Sequence, residues 1–200
     1  MPAVLSSARN ALIVGIAIAV AALVAAIAVD GVDRLGLASF LLRAIHVVAA
    51  MVWVGMIWFV NFVQHAAVTG ADDAGRGTLM RLVVPNVAWI FRHASHLVML
   101  SGVLLLLPSG YVLGSWVFGA PVYVSLVKSL LLWGAAAGAF AMWTFVHMFI
   151  WPNLQVVLGQ RPGNAEAKAA ARAKVALYAR ANLLLAVPVT VLMVAAAHLF

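Results

Sequence analysis

The chain has 200 residues, 66% of them hydrophobic and 8% charged, with a mean hydropathy of +1.13. That balance excludes a soluble globular domain, because no fold of this size hides so much apolar surface from water and lipid must cover it. There is no cysteine, which excludes disulfides, iron–sulfur clusters and covalent haem attachment through Cys-x-x-Cys-His. Any metal or cofactor is therefore held by His, Met, carboxylate or backbone.

A helix needs about 20 apolar residues to cross a hydrocarbon core. Five segments reach that length, near residues 11–29, 38–63, 84–107, 122–149 and 176–199. The fold class expected is all-α: an integral membrane bundle of about five transmembrane helices, forming a single domain over residues 1–200. The second and fourth segments exceed the minimum and should tilt or protrude. The first, ALIVGIAIAVAALVAAIAV, is longer than a usual signal-peptide apolar region and reads as a retained helix.

Between the spans, ADDAGRGTLMR (71–81) reads as a loop. GQRPGNAEAKAAARAK (159–174) starts with turn residues and continues as an Ala-rich basic helix that opens helix five. The uncharged stretch PSGYVLGSWVFGAP reads as an interfacial hairpin or a re-entrant turn. Gly134 and Gly138 on helix four form a small-xxx-small pattern for close helix packing. Pro188 should kink helix five and free a carbonyl.

With five spans the loops sort into two sets. Arg9, Arg76, Arg81, Arg161, Lys168, Arg172, Lys174 and Arg180 fall on the N-terminal face, against little beyond Arg34, Arg43 and Lys128 on the other. The positive-inside rule then puts the N-terminus in the cytoplasm and the C-terminus in the periplasm of a bacterial inner membrane. This asymmetry and contact with anionic lipid account for the net charge of +7 without nucleic-acid binding, for which no fold or interleaved aromatics are present.

Histidine carries the functional signal. Five of the six lie within or at the ends of spans: His46, His93, His96, His147 and His198. Ionisable residues at membrane depth are costly and functional by default, against the alternative of neutral rings bonded to a neighbouring helix. At 3.6 residues per turn, His46, Trp53 and Gln64 share one stripe of helix two. Asn86, Trp89, His93, His96 and Leu100 share one of helix three, and Phe140, Trp143, Thr144 and His147 one of helix four, opposite its glycines. Arg180 and His198 share a stripe of helix five.

Direction of travel puts His46 and His198 at one depth and His93, His96 and His147 at another, which implies two ligand sets. Haem b, one or two per chain, suits facing helices with His ligands, small residues, aromatics and cations for the propionates. Arg43, Lys128 and Arg92 are the candidate propionate partners, and Trp53 and Arg180 further cofactor-side residues. The depth split argues against one compact zinc or copper site, while a copper site stays open.

Helix two reads RAIHVVAAMVWVGMIWFVNFVQ from Arg43 to Gln64. It resembles the opening helix of the membrane domain of the bacterial cytochrome-c-linked urate oxidases, with His46, Trp53, Gly55, Asn61, Phe62 and Gln64 at matching places. NLLLAVPVTVLMVAAAH, from Asn182 to His198, resembles that domain's closing helix, and WPNLQVV (151–157) the segment between its last two helices. His followed by Trp-x-Gly is also similar to the membrane protoporphyrinogen oxidases and copper-resistance membrane proteins. The Cys-x-x-Cys-His of the urate oxidase family's soluble cytochrome c domain does not occur in these 200 residues, and its His before the helix-five Asn is Ala181. The resemblance therefore implies the membrane fold and its histidines rather than urate oxidation by this chain alone.

The leading expectation is a b-type haem membrane subunit within a larger complex, passing electrons between a partner protein and quinone or a c-type cytochrome. In it His46 and His198 serve one haem, and His147 with His93 or His96 a second. An oxidase of a purine or porphyrin substrate, and a cofactor-free accessory or assembly subunit, are the alternatives.

Overall fold

The computed structural model describes residues 3–106 and 125–199, and among these every regular element is helical. The hairpin or re-entrant turn expected at PSGYVLGSWVFGAP, and the first residues of the fourth span, lie outside the described residues. Five helices are long and apolar enough to cross a membrane: α1 Ala8–Asp30, α2 Arg34–Gly70, α3 Asp73–Leu106, α4 Leu126–Val157 and α5 Ala165–His198. Each follows the sequence expectation for its span, with ends that run past the apolar stretch where polar residues cap the helix. The Asp72 carboxylate accepts from the Gly75 amide at 2.8 Å to start α3, and the Asn164 side-chain oxygen accepts from the Ala167 amide at 2.8 Å to start α5. Such caps satisfy amides that the first turn leaves without a partner. The Ala-rich basic stretch is, as expected, the first part of helix five.

The chain divides into two compact units, residues 1–40 and 41–200. In the first, Ser7 caps α1 by accepting from the Asn10 amide at 3.1 Å, and the helix ends at Gly31, whose φ of 70° suits glycine. None of the α1 residues is buried.

In the second unit, Trp53 and Ile57 of α2, Phe91 and Val98 of α3, Met142 and Val146 of α4 and Ala186 of α5 form one core. Val84, Ala88 and Leu154 form a second, smaller cluster. Helices α4 and α5 approach closely through Gly138, where a Cβ would stand 2.6 Å from Val189 Cγ2. Gly134 has open space around it. Half of the small-residue pattern thus acts at this contact, beside the buried Ala135 and Ala139.

Three π-helical segments interrupt these helices: Phe59–Gln64 in α2, Leu79–Val83 in α3 and Phe145–Ile150 in α4. Two have a direct sequence cause. Pro85 and Pro152 follow them, and the wider π turn relieves the clash of a proline ring with the carbonyl four residues back. In all three regions an asparagine donates to the carbonyl one turn earlier: Asn61 to Ile57, Asn86 to Leu82 and Asn153 to Phe149, at 2.8, 2.8 and 2.7 Å.

Candidate functional site

His46 is half-buried on α2 and reaches α3. Its Nδ1 lies 3.0 Å from the Val98 carbonyl and 3.3 Å from Ser101 Oγ. A carbonyl only accepts, so Nδ1 carries the proton and Nε2 keeps a lone pair, the tautomer of a metal-ligating histidine with its orienting partner in place. Gly102 makes the approach possible, since a Cβ there would stand 2.9 Å from His46 Cε1. His93 has the same tautomer for a local reason: its Nδ1 donates to the Trp89 carbonyl one turn back at 2.7 Å, and its ring stacks on Trp89 at 4.2 Å.

The other two histidines of α3 and α4 meet each other. His96 and His147 stack at 4.0 Å between centroids, 30° from parallel. Trp143 Nε1–H, which can only donate, makes a hydrogen bond to His96 Nδ1 at 3.2 Å. Ser95 Oγ donates to the Arg92 carbonyl at 2.8 Å and accepts from His147 Nε2 at 3.0 Å. Both rings therefore carry the proton on Nε2.

Two histidines that share one haem iron each point a ring nitrogen at it from opposite sides, so their rings do not lie face to face. The expected pairing of His147 with His96 or His93 around a second haem is thus not the arrangement present: His96 lies face to face on His147, and His93 stands with Trp89. The α3 stripe also differs from expectation. Asn86, Trp89, His93, His96 and Leu100 are exposed, and the face turned inward is Val84, Ala88, Phe91, Ala94, Ser95, Val98 and Ser101. A stripe of period 3.6 marks a shared face without saying which way it points.

A second constellation lies beside the π segments of α2 and α4. A chamber of about 70 Å³ is bordered by Ile57, Asn61 and Gln64 of α2, Phe91 and Arg92 of α3, Val146 and Trp151 of α4, and Ala179 and Asn182 of α5. Asn61, Gln64, Leu154 and Ala179 also border a wider vestibule of about 990 Å³, at the end of the helices where α2 turns into α3 and α4 into α5; the loop expected at 71–81 is only residues 71–72, since the Asp72 cap starts α3 at Asp73. Around the vestibule stand His65, Arg76, Arg81, Arg172 and Arg180, with Asp73 as its acid. Asp73 pairs with Arg76 at 3.4 Å.

The chamber is mostly apolar, and polar groups at its wall lack partners. Asn182 is 1% exposed, and neither its amide nitrogen nor its oxygen has a hydrogen bond; Gln64 Oε1 and Arg92 Nε are likewise buried without a partner. The Arg92 guanidinium lies 4.0 Å over the Trp151 ring. Each buried polar group left unpaired costs about 1–3 kcal/mol, so such a concentration marks a site that something else completes. π-helical turns also occur frequently at functional sites.

Of the residues expected to serve a cofactor, Trp53 is buried in the main core and Arg92 lies in the chamber. Arg43 is exposed and Lys128 half-buried. Arg180 borders the vestibule, 18 residues and about 27 Å of helix from His198. His198 ends α5, exposed. None of the five candidate histidines borders either cavity.

Asn182, Trp151 and His65 were missed as site residues. Asn182 had a signal, a carboxamide inside an apolar span; the chamber that gives it meaning comes from π turns that leave no periodicity to read. Comparison with family models, curated proteins and solved structures found no match in any of the three.

Proposed function

We propose that the chain is a b-type haem membrane subunit of a larger complex. In this reading it sits in a bacterial inner membrane with its N-terminus cytoplasmic, and passes electrons between a partner protein and quinone or a c-type cytochrome. The observation that carries this reading is His46, with Nδ1–H fixed on the Val98 carbonyl, Nε2 open and Gly102 against the ring. The likeness of helices two and five to the urate oxidase membrane domain supports it.

Haem, when bound, supplies one-electron redox chemistry. The chain's own part is to hold and orient it. His46 Nε2 is the ligand, with His198 as the candidate second ligand and Arg43 and Lys128 as propionate partners. His93 Nε2 is the ligand candidate for a second haem. His96 and His147, engaged with Trp143 and Ser95, act as a packed pair. Because His46 and His93 lie outside both cavities, a group on either is enclosed with the help of lipid or a neighbouring subunit, which fits work within a complex.

The test is a reduced-minus-oxidised spectrum of the detergent-purified chain with a pyridine haemochrome count. A b-type signal at one or two haems per chain is the expected result. A folded, colourless chain overturns the reading and leaves the accessory subunit in its place.

A further inference from the structure

We propose that the chamber and its vestibule bind a small organic anion that carries its own N–H or O–H donor beside a carboxylate, of the amido- or hydroxy-carboxylate class. The proposal is independent of haem.

Arg92 is the charged residue at the chamber wall. Its guanidinium is half-buried against Trp151 in a mostly apolar chamber, its Nε has no acceptor, and no carboxylate borders the chamber. Asp73, the acid of the vestibule, is paired with Arg76 on the surface. A cation whose Nε is buried without an acceptor, at a wall with no carboxylate, favours an anion beside it. Water in the chamber could satisfy hydrogen bonds, but it supplies no charge.

Hydrogen-bond complementarity narrows the class. Arg92 Nε–H and Asn182 Nδ2 need acceptors, whereas Asn182 Oδ1 and Gln64 Oε1 need donors. An all-acceptor anion meets the first pair only, and a neutral amide leaves the charge unanswered. A molecule with a carboxylate at one end and an N–H or O–H at the other meets both. Size agrees: about 70 Å³ holds about five water-sized groups. Arg81, Arg172 and Arg180 around the opening, with its single acid already on Arg76, raise the local concentration of anions and draw them inward.

Calorimetric titration and thermal shift of the purified full chain test this with three probes: oxamate, with charge and donors; oxalate, with charge and no donor; glycolamide, with donors and no charge. Oxamate should bind at least tenfold more tightly than either of the others. Arg172→Gln with Arg180→Gln should weaken oxamate several-fold and flatten its salt dependence. Asn182→Asp keeps the side-chain size and provides Arg92 with a built-in counter-charge, so it should abolish oxamate binding while the protein remains at least as stable. Oxalate or glycolamide binding as well as oxamate, undiminished oxamate binding by Asn182→Asp, or no binding by any probe, which leaves a chamber filled by water only, would each overturn the proposal.

Discussion

Two polar regions of the same helices stand in opposite states. In the cluster of Ser95, His96, Trp143 and His147, the indole N–H, the hydroxyl and one nitrogen of each imidazole are engaged with one another or with backbone. In the chamber, four side-chain atoms of Gln64, Arg92 and Asn182 have no partner at all. The two regions are joined through Arg92, whose carbonyl accepts from Ser95 while its side chain lies in the chamber. The difference teaches that polar residues within apolar helices are of two kinds. Some are complete as packed, and their removal costs stability; others are incomplete, and their removal relieves it.

Substitutions can break that contrast. Trp143→Ala takes away the donor to His96 and ring contacts to both histidines, and should cost about 3 kcal/mol in thermal or denaturant unfolding in detergent. Asn182→Leu replaces two unpaired buried polar atoms with an apolar side chain of similar volume. It should raise stability of the ligand-free protein by about 1–2 kcal/mol, and a clear loss instead would show that Asn182 is already satisfied. Ser95→Ala leaves His147 Nε2–H without its acceptor and should cost about 1 kcal/mol. Gly102→Ala drives a methyl into the His46 ring and should cost about 1 kcal/mol, whereas Gly134→Ala, with open space around it, should change stability by no more than about 0.5 kcal/mol.

The helices were legible because hydropathy alone marks a span, and their true ends lay in the caps: Asp72 and Asn164 extend α3 and α5 beyond the apolar runs. Gly134 and Gly138 were legible as a pattern but not as a contact, since only Gly138 meets Val189. The histidines were legible as a set. Their tautomers were not, because these depend on whether a ring nitrogen faces the Val98 carbonyl or the Trp143 N–H, which is a matter of helix rotation. The chamber was least legible of all. Pro85-Asn86 and Pro152-Asn153 mark the places where α3 and α4 widen, but the turn of Phe59–Gln64 has no proline, and the meeting of the Phe59–Gln64 and Phe145–Ile150 turns with Asn182 around one chamber is a property of packing.

The most direct test of the central claim, that His46 is poised as a ligand while His147 is not, compares bound haem per chain in His46→Ala and His147→Ala, each checked for folding by circular dichroism. His46→Ala should lose the b-type signal, and His147→Ala should keep at least one haem per chain. Loss of all haem in folded His147→Ala, with full retention in His46→Ala, would contradict that claim.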